Sequence, residues 1–592
     1  MASLPISPKP GQRLSAPPDF PLHWSDPAQA RQLWMLDRMH FPDPVPPLLA
    51  SLSADLIAAP FNHAATRYAL PVRLSTLSLN TYLYLGFRPE GAPPDFILRA
   101  LNALKQIAPG VVEALMARIS AGLAQKYLAA MDPVLTHLRE CWEQEWWPEL
   151  AQSLADWENF NLSAATMPQL VAHWEASLPR LKRAWEIHWL VVLPSFLALS
   201  LFDELYRELF GTEDAFGVYG LWQGLDNKFL EADRALWQLS RQALTLPTVR
   251  QVLERCAATE VIPALQGSPE GEIFLAELRR YLNTYGQRSS HVEGLTHLSW
   301  IEDPTPVLAS LKDYATQPDR DLEAELKAQA AEREQLTAQA RKRLAGSPPP
   351  VRERFERLLQ AAQAAAFLHE EHNYWIDQRC QYQMRRIILE FGRRFATAGI
   401  LPQPSDAFLL TERELHALAV APTANSYEAL VRERQAEIER FRAVSPPRFI
   451  GVMPWLSPPD DPFGRSLEKV FGGPPVPTSP PVTSTSGSAQ GHPASPGVAR
   501  GRACVVHTLN EASRLQLGDV LVVEATTPAW TSLFATASAV VTELGGVLSH
   551  AAVVAREYRL PAVVGVRLAM TTLRDGQMLE VDGNAGVVRV ID

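Results

Sequence analysis

Cysteine is scarce in this chain of 592 residues. The four present, Cys141, Cys256, Cys380 and Cys504, lie far apart and make no CxxC pair. Neither a disulfide framework nor a zinc site is therefore expected, and no other metal set is legible; the pattern suits a reducing cytoplasm. Surplus positive charge is also missing. With 55 Lys and Arg against 65 Asp and Glu, the formal charge is -10, which argues against nucleic acid or an anionic membrane as partner. No apolar run is long enough to cross a bilayer. The longest, WLVVLPSFLALSLF at 189–202, has 14 residues and contains Pro194, whereas a spanning helix needs about 20, so it is expected to be a buried core helix. The opening MASLPISPKPGQRLSAPPDF has no apolar signal-peptide segment and reads as a flexible tail over 1–20. A phosphate loop of the GxxxxGK[ST] type is absent as well.

Leucine, alanine, glutamate and arginine dominate what is present, in apolar three-and-four spacing from 21 to 470. Stretches such as GVVEALMARISAGLAQKYLAAM predict helices, and strand-like alternation is rare. The polar segment DLEAELKAQAAEREQLTAQARKRLAG is expected to be a long helix with a solvated face. A second long helix starts near Val351, breaks near Asn373 and is capped by Gly399. The tryptophans of the body, Trp142, Trp146, Trp174 and Trp222 among them, are expected in its core. Residues 471–490 (FGGPPVPTSPPVTSTSGSAQ) have no apolar periodicity and read as a linker. From 491 to 592, short β-branched runs alternate with Gly and Asn turns, around one helical stretch, SHAAVVAREY. The expected fold is multidomain: a large, mainly α-helical N-terminal body and a small C-terminal α/β domain.

The segment TELGGVLSHAAVVAREYRLPAVVGV, at 542–566, holds the chemistry. Gly545 and Gly546 permit positive φ and close backbone approach, and Ser549 is a natural N-cap. His550 then falls in the first helical turn, where free N–H groups and the helix dipole favour an anion. An imidazole titrates near neutrality, so a neutral fraction is available to attack a phosphoryl group. The plain alternative is a histidine that fills a turn. A metal site is disfavoured because no second His or Cys stands at ligand spacing.

The stretch from GHPASPGVARGRACVV through GDVLVVEATTPAWTSLFATASAVVTELGGVLSHAAVVAREY to LRDGQMLEVDGNAGVVRV resembles the phosphohistidine swivelling domain of the PEP-utilising enzymes, which include phosphoenolpyruvate synthase and the rifampicin phosphotransferases. The resemblance implies that His550 carries the phosphoryl group. It places Gly545, Gly546 and Ser549 on the phosphate-proximal turn, and Thr526 and Thr527 on the family's TTPxW loop. Thr542, Glu543, Arg556 and Glu557 are supporting residues; Arg556 and Glu557 are equally well explained as an exposed helix ion pair. Weaker similarity extends to YGQRSSHVEGLTHLSWIEDPTPVL and to HNYWIDQRCQYQMRRIILEFGRRFATAG, which makes Arg288, His372 and Arg385 candidate substrate contacts, with Arg386, Arg393 and Arg394 as further cations.

The complete enzymes have an ATP-grasp domain, and no strand-rich, glycine-loop region before Val470 matches one. The expectation is a phosphotransferase component that binds no cofactor itself. ATP with Mg, or PEP, acts through a separate ATP-grasp or PEP-synthase-type protein, His550 is transiently phosphorylated, and a small-molecule acceptor is held by the helical body. The competing expectation is a non-catalytic ligand-binding or regulatory protein in which the C-terminal domain is a lid.

Overall fold

A computed structural model describes residues 9–91, 93–211, 216–421, 425–455, 461–472, 488–507, 511, 514–526, 530–534 and 536–591. The chain divides into two compact units, one built from Met1–Leu193 with Cys380–Gly464 and the other from Pro194–Arg379, Arg465–Gly473 and Pro481–Asp592. The expected body of 21–470 is thus shared between two units, and the C-terminal α/β domain is part of the second.

In the first unit, helices surround a five-stranded antiparallel sheet in the order Arg13–Leu14, Phe449–Val452, Leu33–Leu36, Tyr82–Pro89, Val72–Leu79. This sheet is the strand-built part of a body that is otherwise mainly α-helical, as expected. Its hairpin turns at Asn80 and Thr81, both at positive φ, the geometry whose twist suits two paired strands. The tail is corrected too. Phe20 is fully buried in a cluster with Trp34, Tyr82, Tyr84 and Phe441, its ring 6.2 Å from Tyr82 and 6.0 Å from Phe441. Residues 1–8 lie outside the described residues.

Trp142, Trp146, Trp174 and Trp222 are each at most 5% exposed, as core residues should be. The apolar run at 189–202 lies within helix Met167–Phe210, whose most apolar window is 78% buried inside the protein. Long and apolar enough to span by length and composition, it is a core helix here. The expected break near Asn373 is a wide π turn, Asn373–Cys380, between helices Pro349–His372 and Gln381–Thr397, and Gly399 follows at φ 72°.

The second unit combines helices with an eight-stranded mixed sheet. Strands Val498–Val506, Val520–Val523, Ala539–Thr542 and Ala562–Val564 are neighbours in parallel. Val520–Val523 and Ala539–Thr542 are buried on both faces, which is why they read as unbroken apolar runs instead of alternating ones. One face packs Cys504, Leu521 and Val540 under Ala551, Ala552 and Ala555; the other packs Val505, Val522 and Val541 against Leu579 and Val588. The sheet begins at Ser488–Gln490, which pairs with Val587–Val590, before the expected boundary at 491. Most of the expected linker, 473–487, lies outside the described residues, and Phe471 is the last residue of helix Pro462–Phe471.

Phe20→Ala is expected to destabilise the first unit by about 3–5 kcal/mol, the usual cost of emptying a buried aromatic site. Denaturant unfolding of the full chain checks this; an unchanged midpoint would return the segment to a loose tail.

Candidate functional site at the His550 turn

Strand Ala539–Thr542 leads through the LGGVLS turn into helix His550–Glu557 and on to the parallel strand Ala562–Val564. His550 therefore stands at the carboxyl end of the parallel strands, where open α/β sheets bind their ligands. Thr542 and Glu543 fix the start of the turn. The Thr542 hydroxyl donates to the Leu544 carbonyl at 2.6 Å, and the Thr542 carbonyl accepts from Val566 N at 2.9 Å. The Glu543 carboxylate accepts from Met570 N at 2.9 Å. Both residues shape the backbone.

The glycine pair is required by close backbone packing. Gly545 has φ 101°, and a Cβ there would meet Ser549 Oγ at 2.9 Å; a Cβ on Gly546 would meet the Lys469 carbonyl oxygen at 2.3 Å. Gly546 N donates to Val470 O at 3.0 Å, and Leu548 N donates to Lys469 O at 2.8 Å. The end of helix Pro462–Phe471 thus holds two amides of the turn that the sequence assigns to the phosphate side.

Ser549 takes an extended N-cap backbone, φ -66° and ψ 161°, yet its side chain makes no capping bond. Its Oγ is buried without a hydrogen-bond partner. The same holds for Thr526 Oγ1, just beyond strand Val520–Val523, which pairs with Ala539–Thr542. Ser549 is 7% exposed and Thr526 6%. Two unsatisfied buried hydroxyls on one strand-end edge are costly unless a ligand completes them. His550 is half-buried and follows Ser549 directly, and the first N–H groups of its helix have no intrahelical acceptor. The arrangement suits a tetrahedral oxyanion. Thr527 lies outside the described residues, while Trp530 packs in the domain core.

Arg556 and Glu557 are not an exposed helix ion pair. The Arg556 guanidinium is buried, donating to Ala494 O at 2.7 Å and to Val547 O, within the turn, at 2.9 Å. Burial lowers its pKa to about 10, so it stays charged at neutral pH. Burial raises Glu557 to about 7, against the pull of Arg556, and raises Glu370 to about 8, with help from the Glu557 and Glu371 charges. Asp233, pushed by burial to about 6 and held back by Arg288 and Arg320, adds to this acidic group. Helix Leu322–Arg343 keeps the expected solvated face and touches this region at two points: Gln329 Nε2 donates to Glu557 O at 2.7 Å, and the exposed Arg559 pairs with Glu332 at 2.9 Å.

Of the candidate substrate contacts, Arg288 is 6% exposed. Its guanidinium lies 4.0 Å from the Trp300 ring centroid and 5.4 Å from that of Phe229, and its Nε has no partner. His372 is buried, with Nδ1 2.7 Å from Leu368 O. Arg385 belongs to the first unit, over the Phe408 ring at 5.2 Å. There, too, Arg393 and Arg394 pair with Glu390, and Arg386 donates to Gln383, so these cations are engaged in local structure.

Residues 188–370 match the family model described as the fourth domain of rifampicin phosphotransferase, and residues 515–586 match the mobile domain of PEP-utilising enzymes. The chain is rifampicin phosphotransferase-like and carries a PEP-utilising mobile domain. Over 98% of its length it is 36% identical to a chondramide synthase of Chondromyces crocatus, of which it covers 14%. It is 29% identical to an uncharacterized phosphotransferase of Bacillus subtilis, over 69% of this chain and 47% of that protein. With a rifampicin phosphotransferase of Streptomyces sviceus it shares 32% identity over 58% of its own length and 37% of the relative's. The chain thus spans less than half the length of each of these relatives.

The half-buried carboxyls of Glu557, within the mobile domain, and of Glu370 make stability depend on pH. Their folded pKa values lie above the ordinary carboxyl value of 4.5, so their contribution is complete below that value and is lost as pH rises through about 7 to 8. Calorimetry is expected to show a melting temperature that falls between about pH 5 and about pH 8, with a shallower fall in Glu557→Gln. Identical slopes for the two proteins would show that Glu557 is not part of the effect.

Proposed function

We propose that this chain is the phosphoryl-carrying and acceptor-binding part of a phosphotransferase, with His550 as the phosphohistidine. The observation that carries the proposal is the pair of buried, unsatisfied hydroxyls of Ser549 and Thr526 on the strand-end edge where a helix begins with His550. It is supported by the match to the PEP-utilising mobile domain over the same residues.

In the proposed reaction, an imidazole nitrogen of neutral His550 gives its lone pair to the donor phosphorus. The donor P–O bond breaks, and its electron pair leaves on the donor oxygen. An acceptor oxygen then attacks the same phosphorus, the N–P bond breaks, and the acceptor proton passes to a base; near in-line approach is needed in both steps. Ser549, Thr526 and the first-turn amides steady the phosphoryl oxygens.

The donor is proposed to be ATP with Mg, or PEP, acting through a separate ATP-grasp or PEP-synthase-type protein in the cytoplasm. The acceptor is proposed to be an apolar small molecule bearing a hydroxyl group. The rifampicin phosphotransferase name of several relatives supports that class. Arg288, a buried guanidinium with a free Nε, is the polar group proposed to orient it.

The test is to incubate the chain with radiolabelled ATP, Mg and an ATP-grasp partner, or with radiolabelled PEP, and follow label that is lost in acid and kept in base. His550→Ala is expected to lower the label by about 100-fold or more, the scale of losing a covalent nucleophile. Label that survives this substitution, or no label from either donor, rejects the carrier role and leaves the lid reading in its place.

A further inference from the structure

One network of side chains runs from the segment that grips the His550 turn to the helix that His550 opens, entirely within the second unit. It starts at Lys469, whose carbonyl accepts from Leu548 N and whose Nζ lies 2.8 Å from Asp203 Oδ2. Asp203 is 2% exposed and also binds Arg207 Nε at 2.9 Å. Arg207 in turn hydrogen-bonds the side chain of Tyr219. The Tyr219 ring lies under the Arg556 guanidinium, 3.9 Å from centroid to Cζ, and Arg556 closes the path by donating to Val547 O in the turn. A parallel strut joins Arg465 to Glu204 at 2.9 Å.

Two features set this path apart from ordinary packing. Asp203 answers two cations from a buried position, so its loss would weaken the hold on both and leave Lys469 to the longer contact with Glu204 at 3.4 Å. The Tyr219 face receives a guanidinium whose Nη2 has no hydrogen-bond partner, so the ring supplies attraction that no hydrogen bond supplies at that nitrogen. The two ends of the path meet the turn at one peptide unit, whose N–H at Leu548 is held by Lys469 and whose carbonyl at Val547 is held by Arg556.

We propose that Asp203 and Tyr219 are positioning residues for His550: acting through Lys469, Arg207 and Arg556, they hold the Gly545–Ser549 turn in one docked pose, from which the imidazole meets its partner. The role in phosphoryl transfer rests on the carrier reading above; the docking itself does not. Tyr219 touches no reacting atom, and neither does Asp203. Their effect reaches His550 through the turn.

Amide hydrogen exchange on the full chain tests this without any donor or acceptor. In Tyr219→Leu the amides of Gly546 and Leu548, which bond Val470 and Lys469, are expected to exchange about ten-fold faster or more, while the amides of strand Val520–Val523 keep their wild-type rates. Tyr219→Phe keeps the ring and is expected to stay within about three-fold of wild type, which separates the aromatic face from the hydroxyl. Asp203→Asn is expected to speed the same two amides by about ten-fold. Wild-type rates at Gly546 and Leu548 in both Tyr219→Leu and Asp203→Asn would overturn the proposal. If a variant also loses protection in the strand, the two regions are compared: a rise at Gly546 and Leu548 about ten-fold larger than that in the strand supports docking, and equal rises reject it. Failure of these tests leaves phosphorylation of His550 untouched, and failure to phosphorylate His550 leaves these rates untouched.

Discussion

A guanidinium buried among carbonyls and one aromatic face is the constraint around which the C-terminal part of this protein is arranged. Arg556 cannot shed its charge, so it has to be answered inside the protein. Two carbonyls do part of this, one from the edge of the sheet and one from the turn before His550, and the Tyr219 ring does the rest. Because the Val547 carbonyl is one of those answers, the shape of the His550 turn is tied to the burial of Arg556. Gly546 follows from close packing at the same turn, since the Lys469 and Glu468 carbonyls come too close for any side chain there.

The sheet explains where the chemistry is placed. Parallel strands carry their carboxyl ends to one edge, and the crossover helix starts there with its free amides pointing to the same edge. Ser549 and Thr526 bring hydroxyls that the fold leaves unanswered. A fold that leaves two buried donors unsatisfied loses stability unless something occupies the site part of the time, and the proposed phosphoryl group is an occupant of the right chemistry. The acidic group of Glu557, Glu370 and Asp233 lies at the other end of the helix, where burial keeps the carboxyls partly protonated near neutrality. A helix that carries its proposed reactive group at one end and proton-dependent contacts at the other links docking to solution conditions.

The His550 segment was legible in the sequence because its signals are local: two glycines, an N-cap serine and a histidine within six residues. The strand runs beside it were legible for the same reason, being short, β-branched and bounded by turns. The partners of Arg556 were not. Tyr219, Asp203 and Lys469 are hundreds of residues or a whole helix away, and nothing in their neighbourhoods marks them as neighbours of the turn. The first unit's sheet was missed on different grounds. Arg13–Leu14 and Phe449–Val452 are too short and too far apart in sequence to signal pairing, although VRLSTLSLNTYLYLGF did alternate around an Asn-Thr turn. The polar helix Leu322–Arg343 shows the limit of charge patterning. Its face is solvated as the composition says, but the pattern does not mark Gln329 and Glu332 as the residues that meet Glu557 and Arg559.

The central claim concerns one atom group among 14 histidines, so the most direct measurement is to locate the phosphate. The chain is phosphorylated, kept at alkaline pH, digested and fragmented in a mass spectrometer that preserves the N–P bond. The account predicts phosphate on His550 in the peptide containing LGGVLSHAAVVAR. Phosphate on a different histidine, or on the hydroxyl of Ser549 or Thr526 with His550 unmodified, would contradict it.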